Sequence, residues 1–214
     1  MATLESYVQS DAARLALCVR TIIQERGLVS LPTETFYGLG VNPFDAQAVD
    51  RLLRVKGRDD RKPVLVLIGD RGQLPLLAAE IPPMAELLME TFWPGALTIL
   101  FPALPVLPHG LTAKTGVVGI RLSAWVPLTN LLQVVGPVTG TSANRTGRPP
   151  ARTAEQVQKE FGADVDLIVD TGETPGGLAS TVVDPREPVR LIREGAISRQ
   201  MIQNVLQTKG LSLM

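Results

Sequence analysis

One cysteine and one histidine in 214 residues exclude several common chemistries at once. Cys18 alone cannot close an intramolecular disulfide, and His109 alone cannot supply half of a Cys/His zinc cluster, so no metal site is expected. A His-based triad would rest on His109, which lies in the stretch LPVLPHG, where a surface position is the simpler reading. Net charge is also lacking: 21 Lys and Arg balance 21 Asp and Glu. A whole-molecule electrostatic grip on nucleic acid is therefore unsupported, and any basic site must be local. Aromatic residues are 4% of the chain, too few for a base-stacking platform. No apolar run approaches the roughly 18 residues of a membrane span. The start, MATLESYVQSD, has no basic residue before Arg14, unlike a secretory leader. A soluble, cytoplasmic protein without membrane association is expected. There is no G-x-x-x-x-G-K-[ST] loop and no G-x-G-x-x-G after a strand, which excludes the two commonest nucleotide-binding signatures.

What is present is an ordinary globular composition, 45% hydrophobic and 20% charged, with 17 prolines and 19 glycines that promise many shaped turns. Helix and strand signals alternate. Ser10 and Asp11 can cap a helix carrying Leu15, Val19, Ile22 and Ile23, which Gly27 stops, and Cys18 falls on its apolar side as a core residue. Leu28 to Leu31 reads as a strand, Asp45 to Gly57 as a capped helix, and PVLVLI from Pro63 as a buried strand. Helical segments at Leu74–Glu80 and Pro83–Thr91 precede strands at Ala96 and Val117, a helix from Pro127 and a strand PVTGTS from Pro137. Thr153 caps a helix to Phe161, three late strands follow at Asp166, Ser180 and Pro188, and Ser198 caps a final helix. The pattern predicts residues 1–214 as a single α/β domain with a mixed parallel/antiparallel sheet flanked by helices.

Three segments can carry chemistry. LPTETFYGLG, Leu31 to Gly40, gathers two threonines, a glutamate and a tyrosine after a strand; it reads either as a ligand-binding strand end or as a polar turn with capping hydroxyls. The stretch 50–62 holds Arg51, Arg54, Lys56, Arg58, Arg61 and Lys62 against Asp50, Asp59 and Asp60, a local excess of three positive charges. It is either a phosphate clamp or a set of cations complementing a helix C-terminus. TSANRTGRPP places Ser142 and Asn144 two apart, on one side of an extended chain, followed by Arg145 and Arg148; a solvated basic loop is the plain alternative. Arg121 is the sharpest single residue. Inside the apolar run VVGIRL its guanidinium needs an acidic partner, either a protein carboxylate or an anionic substrate. A site of Thr, Ser, Asn, Lys and Arg suits reactions that position anions and stabilise charge, with nucleotidyl or phosphoryl transfer the natural class.

PTETFYGLG, K-G-R, WPGALT, I-R-L, TSAN, STVVD and LIREGAI, in this order between about Leu28 and Ile197, closely resemble the threonylcarbamoyl-AMP synthase (YrdC-like) family. The resemblance implies a twisted α/β domain with a concave active face. It also implies conversion of L-threonine, bicarbonate and ATP, with Mg²⁺, into threonylcarbamoyl-AMP and pyrophosphate. The product serves the tRNA threonylcarbamoyl-transferase machinery, with tRNA contact left open. Carried over residue by residue, Thr35, with Thr33 as the alternative, Arg121 and Ser180 are threonine contacts. Lys56 and Arg58 are the catalytic phosphate cations, and Lys62, Ser142, Asn144 and Arg193 are further ATP contacts. Asp59 and Asp60 follow K-G-R where family members often have proline, and the chain matches the short form. A YrdC-like homologue of different activity, and an RNA-binding module using 51–62 and 143–152, are the alternatives.

Overall fold

The computed structural model describes residues 2–7, 11–57 and 63–214. β1 (Thr3–Ser6) and α1 (Ala12–Gln24) precede the hairpin of β2 (Val29–Pro32) and β3 (Tyr37–Gly40), then α2 (Ala46–Lys56) and β4 (Leu65–Ile68). A 3₁₀ turn (Arg71–Leu76) and α3 (Pro83–Phe92) lead to β5 (Leu97–Pro102), the one-turn α4 (His109–Thr112) and β6 (Val117–Leu122). After α5 (Val126–Val135) come β7 (Val138–Thr139), β8 (Thr141–Ser142) and α6 (Ala154–Phe161). β9 (Leu167–Asp170), β10 (Thr181–Asp184), β11 (Arg190–Arg193) and α7 (Arg199–Gln207) complete the order.

The fold is mixed α/β as expected, with its strands divided between two sheets. One has the order β1-β9-β2-β3-β8, with β1 and β2 parallel to β9 and the other neighbours antiparallel. The second runs β11-β10-β5-β6-β4-β7, with parallel pairs β10/β5 and β4/β6. The three late strands divide between the sheets: β9 enters the first, β10 and β11 the second.

Several caps follow the sequence. Asp45 Oδ1 accepts from Gln47 N and Ala48 N at 2.9 and 3.0 Å, and Gly57 ends α2 at φ 58°, where a left-handed residue closes the last turn. Thr153 and Ser198 cap α6 and α7 through Gln156 N and Met201 N. Asp11 precedes α1 without a side-chain cap, and Ser10 lies outside the described residues.

Four readings change. β1 is an exposed edge strand whose segment TLES carries no apolar alternation, so nothing local marks it. Leu74–Glu80 does not form an α-helix; a 3₁₀ turn spans Arg71–Leu76, with Pro75 inside it unable to donate an amide hydrogen bond. Cys18 is half-buried at the margin of the α1–α5 packing instead of in the core. Finally, PVTGTS is two short strands in different sheets: Thr139 N bonds Val41 O, and Gly140 N bonds Leu65 O at 2.8 Å. A Cβ at Gly140 would lie 2.4 Å from Leu67 Cγ, so the crossing between sheets needs glycine.

Two apolar clusters hold this frame. Leu15, Val19 and Ile23 of α1 meet Leu128 and Leu132 of α5 over Val29, Leu31 and Leu167 of the first sheet. The larger cluster joins Leu39 and Ile168 to α2 (Val49, Leu52), α6 (Val157, Phe161) and the second sheet's Val66, Ile99 and Ile120. The strand ends of both sheets and the turns after them are left to shape the cavity.

Candidate active site

A cavity of about 620 Å³ opens where the two sheets approach, a size typical of small-molecule sites. From the first sheet come Thr33, Thr35, Phe36, Tyr37 and Ser142; from the second, Thr98, Gly119, Arg121, Ser180 and Arg193. Of the nine residues carried over as site residues, Thr35, Arg121, Ser180, Ser142 and Arg193 line this one cavity. Asn144 belongs to the segment that carries Ser142, Lys56 donates to that segment's backbone, and Arg58 and Lys62 lie outside the described residues, as do Asp59 and Asp60.

The turn after β2 is built on Thr33. Its Oγ1 donates to Phe36 O at 2.8 Å and accepts from the amides of Thr35 and Phe36. The Thr33 hydroxyl is thus used by the turn itself. Thr35 Oγ1 stands 3.0 Å from Thr33 Oγ1 and 3.4 Å from Arg121 Nη1. Either hydroxyl can donate in the Thr33–Thr35 contact, and Arg121 Nη1 donates to Thr35 from the other sheet.

Arg121 is 3% exposed on a strand buried on both faces. Nε donates to Gly95 O at 3.1 Å, and Nη2 lies 2.7 Å from Glu34 Oε1. That contact is an ion pair without an aligned hydrogen bond, so among the described residues buried Nη2 has no accepting partner of proper geometry. The partner a buried arginine requires is therefore a protein carboxylate, Glu34. Burial pushes the Glu34 carboxyl up, but the Arg121 charge, together with hydrogen bonds from Ser123 and Ala124 N, outweighs it and holds the carboxyl below the ordinary range.

Ser180 and Arg193 are placed together by the residues around them. Thr181 Oγ1 donates to Ile197 O at 2.5 Å and accepts from Gly195 N and Ile197 N. A Cβ at Gly195 would meet Ala179 O at 2.1 Å, which explains the glycine of REGAI beside STVVD. Arg193 in turn donates to Ser180 O from Nη2 and Nε at 2.7 and 3.2 Å, while Ser180 Oγ pairs with Thr98 Oγ1 at 2.9 Å. Among the described residues no carboxylate pairs with Arg193. Burial of its guanidinium end, and then the Arg121 charge, lower its pKa from the ordinary arginine value. With Arg121 matched by Glu34, Arg193 supplies the uncompensated positive charge on the cavity wall.

The TSAN segment is strapped to the end of α2. Lys56, 4% exposed, donates from Nζ to Ser142 O at 2.5 Å and Asn144 O at 3.0 Å. Arg145 Nη1 caps Val55 O, and Thr146 bonds Lys56 O and Gly57 O, satisfying carbonyls a helix C-terminus leaves open. Ser142 Oγ donates to Asn144 Oδ1 at 2.6 Å, the same-side placement their spacing suggested. Arg145 also pairs with Asp164 and stacks over Phe161, so it belongs to the scaffold.

The model of the Sua5/YciO/YrdC family, described as telomere recombination, matches residues 21–195. The chain belongs to this family. It is 39% identical over 186 residues to the threonylcarbamoyl-AMP synthase of Pyrococcus abyssi, covering 86% of this chain and 55% of that protein. It is 36% identical over 198 residues to that of Bacillus subtilis, covering 89% and 57%. The crystal structure of P. abyssi Sua5 complexed with L-threonine superposes with a TM-score of 0.90 at 33% identity, over 100% of this chain and 62% of that one. The chain thus spans little more than half the length of these curated relatives. The contacts that the motifs alone left unassigned are those of Glu34, Ser123 and Thr98. Arg121 signalled that some carboxylate was needed, but not that it would come from 87 positions upstream in the sequence.

Proposed function

We propose that the chain is an L-threonylcarbamoyladenylate synthase, a nucleotidyltransferase forming threonylcarbamoyl-AMP and pyrophosphate from L-threonine, bicarbonate and ATP for tRNA modification. The observation that carries this reading is the convergence of Thr35, Arg121, Ser180, Ser142 and Arg193 on one cavity, in a chain similar to Sua5, whose P. abyssi member is described with L-threonine bound. The threonine carboxylate pairs with Arg121, and Thr35 and Ser180 offer hydroxyls to its amine and side chain. The amine attacks bicarbonate with loss of water to give a carbamate, whose oxygen attacks the α-phosphorus of ATP as the bond to pyrophosphate breaks, and no protein nucleophile is needed. This agrees with a wall that contains no His, Cys, Asp or Glu among its described residues.

Arg193, with Arg58 and Lys62 by family resemblance, meets the phosphates and the charge that develops on the leaving group. Ser142 and Asn144 lie on the same side. Lys56 serves this end by holding their backbone. Among the described residues no group of three or more His, Cys, Asp or Glu converges, so Mg²⁺ would arrive on the triphosphate oxygens, as is usual for this ion. Among the described residues no helix is long and apolar enough to cross a membrane, and we place the reaction in the cytoplasm.

The test is pyrophosphate release from ATP with Mg²⁺ and bicarbonate, comparing L-threonine, L-serine and no amino acid. Threonine-dependent release is expected. No release from folded protein under any condition overturns the reading and returns the field to a divergent homologue or an RNA-binding module.

A further inference from the structure

Glu34 takes no part in the reaction above and is not on the cavity wall, yet it is the acid that contacts Arg121. Its carboxylate is fixed from the other side. Ser123 Oγ donates to Oε2, Ala124 N donates to Oε1 at 3.1 Å, and Ser123 Oγ itself accepts from Trp125 N at 3.2 Å. Ser123 and Ala124 directly follow β6, the strand that carries Arg121. Glu34 comes from the turn of the opposite sheet that carries Thr35. One carboxylate therefore ties together the two elements on which Arg121 and Thr35 are mounted.

We propose that Glu34 is a positioning residue for amino-acid recognition: it neutralises the buried Arg121 and fixes the guanidinium beside Thr35, so that the substrate's carboxylate meets an aligned donor. The inference rests on the reading of this cavity as an amino-acid site. The guanidinium is fixed at three of its nitrogens, with Nε on Gly95 O, Nη1 near Thr35 Oγ1 and Nη2 against Glu34. Nη2 keeps a donor direction that no acceptor among the described residues meets. The opposite arrangement, in which Glu34 occupies the place of the substrate carboxylate and is displaced by it, conflicts with the bonds from Ser123 and Ala124 and with its position off the wall.

The experiment compares wild type, Glu34→Gln and Ser123→Ala by calorimetric binding of L-threonine and by steady-state pyrophosphate release against threonine and ATP. In Glu34→Gln, the threonine dissociation constant and KM rise about tenfold while kcat and the ATP KM hold. Ser123→Ala moves in the same direction by less, and it carries the test if Glu34→Gln does not fold. A merely structural role lowers the active fraction, so kcat falls with threonine KM unchanged; that result overturns the proposal. Tighter threonine binding in Glu34→Gln also overturns it, in favour of displacement. Wild type that neither binds threonine nor releases pyrophosphate overturns the site reading and this role together, whereas active wild type with unaltered variants overturns this role alone.

Discussion

Replacing Lys56 by Met retains an unbranched stem of similar length and removes the ammonium that donates to Ser142 O and Asn144 O at 2.5 and 3.0 Å. Hydrogen bonds to a charged group contribute about 1.5–3 kcal/mol each, and the lower figure applies because Ser142 and Asn144 are only half-buried and their carbonyls regain water. Two such bonds come to roughly 3 kcal/mol, from which about 1 kcal/mol is offset because a buried Met escapes the desolvation of an ammonium. A net loss of about 2 kcal/mol lowers the melting midpoint of a domain this size by about 4–8 °C. Scanning calorimetry measures that drop. Pyrophosphate release, measured well below the variant's midpoint, should fall as well, because Ser142 and Asn144 lose their anchor. An unchanged midpoint refutes the tether. A lowered midpoint with unaltered kcat and ATP KM refutes its connection to the site.

The two threonines of PTET separate by role: Thr33→Val costs about 1–2 kcal/mol of stability through the lost turn bonds, whereas Thr35→Val leaves stability nearly intact and weakens threonine binding, as urea denaturation and calorimetry will resolve. Asp184, 2% exposed, holds Arg186 at 2.6 and 2.8 Å and Arg190 at 3.0 Å; because both arginines face solvent, Asp184→Asn should cost about 1–2 kcal/mol instead of the full loss of a buried pair. Burial pushes its carboxyl up, but hydrogen bonds and charge from Arg186, then Arg190, hold it below the ordinary value. Its contribution is therefore complete above the ordinary carboxylate pKa and lost as pH falls through the depressed one, so the gap between wild type and Asp184→Asn should close on acidification, and a widening gap counts against it. Gly140→Ala places a Cβ 2.4 Å from Leu67 and should cost about 1–3 kcal/mol by overpacking, seen as a lower thermal midpoint.

The elements with strong local signals were legible in the sequence. Asp45 and Gly57 bracket α2, Thr153 opens α6, and VVGIRL is buried throughout as β6, because caps and apolar runs are decided within a few residues. The edge strand β1 was not, since its pairing with β9 spans the length of the fold and its side chains stay exposed. Nor was the split at Gly140, where one extended segment serves two sheets and the division depends on Leu67, far back in the chain. The site divides the same way. Arg121 announced a need for a carboxylate, and Ser142 and Asn144 their shared side, but the roles of Glu34 and Thr98, although both lie in recognisable motifs, were not legible, as each acts through a partner more than 80 positions away.

These long-range partners explain why the motifs are longer than a ligand alone would require. Each polar group on the cavity wall is held by another: Thr35 by Thr33, Ser180 by Thr98, Ser142 by Asn144, Arg193 by Ser180 O and Arg121 by Glu34. Beside the cavity-lining residues of PTET and STVVD a neighbouring threonine, Thr33 or Thr181, spends its hydroxyl on the backbone that aims them. A reaction without a protein nucleophile depends on such fixed dipoles and charges, because a donor that must reorient as charge develops gives back much of its stabilisation. On this argument substitutions at Glu34, Thr98 and Asn144 should weaken substrate recognition more than they weaken the fold.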